Sequence, residues 1–585
     1  MRFQKQIATL SLFTTLLCTL LVGCTNKTSV TTSDSTVSRS TAEADANPSS
    51  QPNVQKDKVL KLYVAGFQNL DPQIWSWGTH VDRMGVFEGL TLLTPEMGVR
   101  MGNAEKIEHN EDYTVWTASV RKDLKWSDGS PLTAKDYYYS MERIIDPKYL
   151  SGKTTAAGGS APVLNAVACQ KGEVPFSEVG IKLIDEYTLE FTMETPRSDF
   201  DLSLTESWAL PVPQKAIETY GDEWASVENI VSNGPYKPIA REEDVHLTLA
   251  ANENYYEKPK LEKVEIYAGA QNQLLAYKNG DINVADITAA DIDAVYKDES
   301  LKEHIKIYDT SVVTYFGLLK SNNDILQKNP KIRQAISLSI NRETIAKDLN
   351  KDTVTPAYSL VYPGFVSWSN EVGLGGYNIE KAKELMAEAG YPNGEGLSEM
   401  VCLIAGNPTA DKLAIVDMIQ RGTGIKVKIV NKEWAAFVKD RDAYHEDGTW
   451  GVFIDGWNTP VANASGAFTN KQFDIRMGNL DAAGLKAFVE ANNVISDEQK
   501  VLDTCKNEFA KEYKAKLDAL AKEVDPTKLD AGYKELEAMR QQDSSCIPLY
   551  WTRGVKLISP EIKGYTGNPL LLGTPPLYFK DVEIN

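Results

Sequence analysis

Trp116, Ala118 and Val120 alternate with Thr117, Ser119 and Arg121, the period of two that a strand buried on one face requires. The run Ser127-Asp128-Gly129-Ser130-Pro131 follows. It predicts a turn, because Asp can bond its own backbone, Gly tolerates positive φ and Pro cannot continue a ladder. Thr133 with Asp136 three residues on has the spacing of a capping box. Ala134, Tyr137, Tyr138, Met141, Ile144 and Ile145 then recur at helical spacing until Asp146-Pro147 stops the helix. Residues 113–147 thus predict a β-turn-α unit, and every local signal in the stretch agrees with its neighbours.

The same patterning carries on along the chain. Residues 58–65, KVLKLYVA, predict a strand, and 181–193, IKLIDEYTLEFTM, predict two short strands about Asp185-Glu186. Residues 158–167 are small and apolar and predict a loop. Pro211 and Pro213 precede a helix over 214–220. A strand is expected at 264–267, a helix at 271–280 ending on Gly280, a strand at 314–319 and a helix at 330–340. Over 377–394, Asn378 can cap a helix whose apolar stripe is Ala382, Leu385, Met386 and Ala389, with Gly390 and Pro392 as stops. A βαβ unit is predicted from 400–404, 410–422 and 425–430. Leu502, Cys505, Phe509, Tyr513, Leu517, Leu520 and Val524 mark one amphipathic helix, and a second is expected over 529–539.

The chain has 585 residues, enough for two or three lobes, with 42% hydrophobic and 24% charged residues as in an ordinary globular protein. Its first residues have the layout of an export leader: Arg2 and Lys5, an apolar run over 7–22, then Leu21-Val22-Gly23-Cys24. Residues 24–57 are rich in Thr, Ser, Asn and Asp and poor in large apolar side chains, so they predict a disordered tether. Roughly 30 such residues reach about 30 Å. The net charge of −19 becomes −21 once Arg2 and Lys5 leave with the leader, which argues against a nucleic-acid partner. Cys169, Cys402, Cys505 and Cys546 stand far apart without a C-x-x-C pair, so metal ligation is not expected. A disulfide is permitted outside the cell but spacing cannot name it; buried free thiols are the default expectation.

Several motifs in one order carry a family resemblance. Trp126-Ser127-Asp128-Gly129-x-Pro131-x-Thr133-Ala134-x-Asp136 resembles the W-S-D-G-x-P-x-T-A-x-D signature of the solute-binding proteins of peptide and nickel ABC importers, the oligopeptide-binding family. Leu70-Asp71-Pro72 with Glu88-Gly89-Leu90, Asn233-Gly234-Pro235-Tyr236, Asn252-x-x-Tyr255, 330–343, 377–394, Ile547-Pro548 and Lys563-Gly564-Tyr565 resemble its other segments. The L-V-G-C tetrad resembles a bacterial lipobox, implying cleavage before Cys24 and lipid on its thiol. The resemblance spans residues 58–585. It implies an α/β, two-lobed periplasmic-binding-protein fold of the Venus-flytrap type II, with an extra subdomain on the first lobe. By it, the leader is 1–23 and the tether 24–57. Lobe I is 58–105, 230–317 and 547–585, its subdomain is 106–229, and lobe II is 318–546.

The implied function is a substrate-binding lipoprotein, not an enzyme, held monomeric on the extracytoplasmic face of the cell membrane. It would capture oligopeptides between its lobes and hand them to permease subunits whose ATPases drive import; no cofactor is expected. An oligosaccharide or metal chelate on the same fold, or a secreted hydrolase, are the alternatives. No H-E-x-x-H, G-x-S-x-G or Walker A pattern occurs, and the five His residues are scattered. By resemblance, the cleft candidates are Trp75 and Trp77 in the loop after Pro72, Asp455, Trp457 and Asn458 around a Gly456-Trp457 pair, and Tyr550 near the hinge. Each aromatic candidate has core packing as its alternative. Related peptide binders carry an Asp three residues after that Trp to pair with the ligand ammonium; here the position is Pro460.

Overall fold

The computed structural model describes residues 58–64, 66, 69–74, 85–150, 161–269, 272–288, 291–365, 367–368, 374–458, 464–470, 473–491, 495–568 and 578–585. Cys24, Trp75, Trp77 and Pro460, with the leader and tether, lie outside the described residues. One eleven-stranded mixed sheet runs through the body. In chain order its strands are β1 (Val59–Val64), β2 (Tyr236–Glu242), β3 (His246–Ala251), β4 (Lys263–Ala268), β5 (Val284–Asp286) and β6 (Ile305–Leu318). Then come β7 (Val354–Pro356), β8 (Met400–Ala405), β9 (Val427–Lys432), β10 (Gly451–Asn458) and β11 (Ile547–Ile558). Side by side they read β9-β8-β10-β6-β11-β5-β1-β4-β3-β2, with β7 paired to β11.

β6 and β11, antiparallel to each other, link the two halves of the sheet. β11 pairs with β5 at Ile558↔Val284, and β6 pairs with β10 at Thr314↔Gly456. Between Asp309 and Val313 the β6–β11 register slips, the local kink and extra twist of a bulge. There the Thr310 hydroxyl donates to the Thr552 carbonyl at 2.8 Å, and Ser311 is fully buried. The sequence expected a crossing strand over 314–319 only. The strand is longer because its first half leaves Lys306, Ile307 and Asp309 exposed and its second half buries both faces, so no period of two marks it.

A separate four-stranded antiparallel sheet orders Ala104–His109, Val115–Val120, Thr188–Thr192 and Ile181–Asp185. Trp116, Ala118 and Val120 are buried as their alternation requires. Helix α1 (Ala134–Ile145) packs on this sheet, and its capping box forms in full. Asp136 accepts from the Thr133 N–H at 2.8 Å, and the Thr133 hydroxyl accepts from the Lys135 N–H at 3.3 Å.

In the other half, α2 (Pro330–Ser339), α3 (Ile379–Glu388) and α4 (Ala410–Thr423) pack together on one face of β6, β8 and β10 around Phe316, Ile336, Met386, Ile419 and Ile454. β8, α4 and β9 form the expected βαβ unit with parallel strands. Helix α5 (Trp434–Asp442) follows. The opposite face is covered by a second apolar cluster that includes Tyr315, Trp551, Phe468 and Phe473. The single amphipathic helix expected over 502–524 is two elements, Ile495–Leu502 and α6 (Glu508–Leu520). Asn507 interrupts the run by capping α6, its side chain accepting from the Ala510 N–H at 3.0 Å. The helix expected over 529–539 extends as α7 (Pro526–Asp543), because Pro526 can occupy its first position and Asp525 caps it.

Family-like motifs meet in one buried knot. Glu88 accepts from the Tyr255 and Tyr256 hydroxyls at 2.6 and 2.7 Å and from the Lys580 ammonium at 2.7 Å. The four described cysteines are buried free thiols. Among the described residues no helix is long and apolar enough to cross a membrane, and no cluster of His, Cys, Asp and Glu could hold a metal ion.

Candidate functional site

The end of β10 is the natural starting point, since four predicted residues or their neighbours fall on it. Gly451 opens the strand at φ +152°, where an added Cβ would lie 1.9 Å from the Val401 carbonyl; the close approach of β8 demands glycine there. β8 pairs with β10 only from Gly451 to Ile454. β6 pairs with it from Val452 to Asn458. Among the described residues, Asp455 to Asn458 therefore carry a strand partner on one side alone, and Gly456 is exposed.

Asp455 is almost buried and points back into the protein. Its carboxylate accepts from Arg441, at the end of α5, at 2.6 Å and from the Gly456 N–H at 2.8 Å. Burial pushes this carboxyl up, and Arg441 works against the rise. Trp457 is half-buried and meets Phe473 edge to face, with ring centroids 4.8 Å apart at 88°. Asn458 ends the strand opposite Val312, half-buried.

Tyr550 lies on β11, 6% exposed, and donates its hydroxyl to Asp411 at 2.8 Å. Burial, then the adjacent Asp411 charge, hold that hydroxyl well above its usual range. Both residues line a cavity of about 340 Å³. Ile287 and Thr288, just after β5, wall it from one half of the sheet, and Thr409, Asp411 and Lys412, at the start of α4, from the other. The Lys412 ammonium is half-buried and has no ion-pair partner among the described residues. Arg553, also in the wall, is held by Asp309 at 2.7 Å. A larger cavity of about 680 Å³ opens by the start of β1, between Lys61, Tyr277, His304 and Glu561. It touches neither β10 nor the β6–β11 crossing, so its size does not make it the ligand site.

The structure thus brings Tyr550 to a cavity at the crossing of the two halves and keeps Asp455, Trp457 and Asn458 together on one strand end. Sequence reasoning missed Thr288, Asp411, Lys412 and Arg441. Thr409 and Asp411 carry a faint signal, since they read as ordinary helix-start residues.

The family profile described as Bacterial extracellular solute-binding proteins, family 5 Middle, matches residues 98–477. The chain is 27% identical to the periplasmic oligopeptide-binding protein OppA of Salmonella typhimurium over 94% of this chain and 96% of that protein. It is also 27% identical to the probable deoxycholate-binding periplasmic protein YgiS of Escherichia coli, over 88% of this chain and 91% of that one. Its fold is similar to the periplasmic murein tripeptide-binding protein MppA in its unliganded open form, with a TM-score of 0.70 at 21% identity, covering 90% of this chain and 98% of that one.

Proposed function

Because the chain belongs to the family 5 bacterial extracellular solute-binding proteins, we propose that it captures oligopeptides between the two halves of its sheet and delivers them to the permease of an ABC importer. It is a substrate-binding protein, not an enzyme, built on the two-lobed type II fold. The observation that carries the peptide reading is the bare edge of β10. An extended peptide laid beside Asp455-Gly456-Trp457-Asn458 gains main-chain hydrogen bonds without any demand on its sequence. The cavity at Tyr550 supplies room for a side chain or chain end, with Lys412 as an unspent cation.

On this reading Trp457, Asn458 and Tyr550 meet the ligand, with Trp75 and Trp77 as further candidates, while Asp455 is held back from it by Arg441. Residues 58–105, 230–317 and 547–585 form one lobe, 106–229 its subdomain and 318–546 the other lobe. Lipid on Cys24 holds the monomer at the extracytoplasmic face, and closure on ligand precedes docking to the permease.

Native mass spectrometry of the untreated protein tests the reading. Co-purified peptides of mixed sequence are expected, and Gly456→Pro, which sets a rigid ring on the bare edge, should strip them. A single sugar, chelate or steroid adduct in place of peptide would overturn it.

A further inference from the structure

Glu206 is a carboxylate with nothing to hold it among the described residues. It is half-buried, just before the short helical turn Ser207–Ala209. Its backbone N–H donates to Ser203 at 3.1 Å and its carbonyl accepts from Ala209, but its side chain has no hydrogen-bond or ion-pair partner among the described residues. The nearby cation, Arg197, is spent on Asp199 in a two-pronged pair at 2.7 and 3.1 Å. Asp201, on the same segment, accepts from the Leu202 N–H at 2.9 Å. Burial pushes the Glu206 carboxyl up to about 7, with Arg197 opposing the rise and Asp199 adding to it. An acid desolvated without a partner is a cost that a fold does not keep for packing.

The segment that carries it faces the opposite half of the protein. Leu202 packs against the apolar cluster that holds Trp457, Phe473, Phe468 and Tyr533. Tyr533, on α7, stacks on Phe468 at 5.0 Å and 21°, and it lies in the field of the same Arg197–Asp199 pair that neighbours Glu206. The segment therefore reaches, through Leu202, the apolar cluster into which Trp457 at the bare end of β10 packs, and Glu206 lies four residues further along it.

Resting on the peptide-capture reading above, we infer that Glu206 is the counter-charge for a cationic group of the ligand, a protonated amine or a guanidinium. Entry of that cation supplies the partner the fold withholds, and the carboxyl gives up its proton to solvent as the pair forms. The amine can be the peptide's own N-terminus or a basic side chain, and the two are separable.

Calorimetric titration at about pH 7.5 of wild type and Glu206→Gln would use three probes: tetra-alanine, N-acetyl-tetra-alanine, and N-acetyl-Ala-Lys-Ala-Ala. Glu206→Gln should weaken the probe whose cation reaches it by about ten- to a hundred-fold and leave the neutral acetylated peptide unchanged. Loss confined to tetra-alanine assigns the N-terminus; loss confined to the lysine peptide assigns a side chain. Wild type alone provides a second measurement, since binding of the cationic probe should tighten as pH rises through about 7. Equal binding of all three probes by both proteins, or no pH dependence in the wild type, overturns the inference and leaves peptide capture standing. Failure of the wild type to bind any probe overturns both.

Discussion

Arg441→Met puts the reading of Asp455 at risk in a way that can be worked out from the structure. The Asp455 and Arg441 side chains are 8% and 13% exposed, 2.6 Å apart, and methionine keeps the aliphatic stem while deleting the charge. An ion left buried without its partner typically costs about 3–5 kcal/mol. Asp455 still accepts the Gly456 N–H, so about 2–3 kcal/mol is expected near pH 7.5. The carboxyl can also escape by taking a proton, at about 1.4 kcal/mol for each pH unit above its unfolded value near 3.9. At about pH 5 the penalty is therefore capped near 1.5 kcal/mol. The sign follows: Asp455 is already held up by burial, and without Arg441 it rises further, so stability lost through it grows as pH rises. With about 2.1 cal/mol/K per residue over roughly 500 residues, the midpoint should fall by about 2–3 °C near pH 7.5 and by less at pH 5. Scanning calorimetry of Arg441→Met beside Arg441→Met/Asp455→Asn measures it, and the double variant should recover most of the loss and bind peptide normally. A penalty that is equal at both pH values, or a double variant that is stable but no longer binds peptide, would refute the reasoning and make Asp455 a ligand contact.

Three further outcomes follow from the geometry. Glu88→Gln leaves Lys580 buried without its charge partner, so urea denaturation should show a loss of about 3–5 kcal/mol with ligand affinity unchanged in the folded fraction. Gly451→Ala forces a Cβ to 1.9 Å from the Val401 carbonyl, and hydrogen exchange should show β8 and β10 opening more readily, by on the order of 2 kcal/mol. For Glu206, whose carboxyl burial raises to about 7 with Arg197 opposing and Asp199 adding to the rise, the stability it contributes is present below pH about 4.5 and lost as pH rises to about 7. Ligand-free wild type should therefore lose up to about 3 kcal/mol relative to Glu206→Gln across that window in paired thermal scans, and parallel curves would contradict the shift.

Elements whose information is local were legible. The capped helix α1, the alternating strand ahead of it, the 181–192 hairpin and the βαβ unit all rest on neighbours in sequence, and each was written in turn residues and periodicity. β6 was under-read because burial on both faces erases alternation, and the break before α6 because one capping Asn outweighs an unbroken apolar stripe. The charged groups of the site were illegible for another reason. In a chain with 81 acidic residues, nothing in the spacing says that Asp455 is spent on Arg441, that Asp411 takes the Tyr550 hydroxyl, or that Glu206 has no partner among the described residues. Those facts depend on where distant segments meet.

The place of β11 has a consequence for how the molecule comes into being. Residues 547–558 occupy the middle of the sheet, between β6 and β5, yet they are made after every strand they join. At about 5–20 residues per second a ribosome needs roughly half a minute or more to reach them. Until then neither half owns its inner wall, and the nascent chain must be shielded rather than folded. Assembly is thereby coupled to the synthesis of β11: a chain that has not reached it cannot close its sheet, and stays threadable until it does.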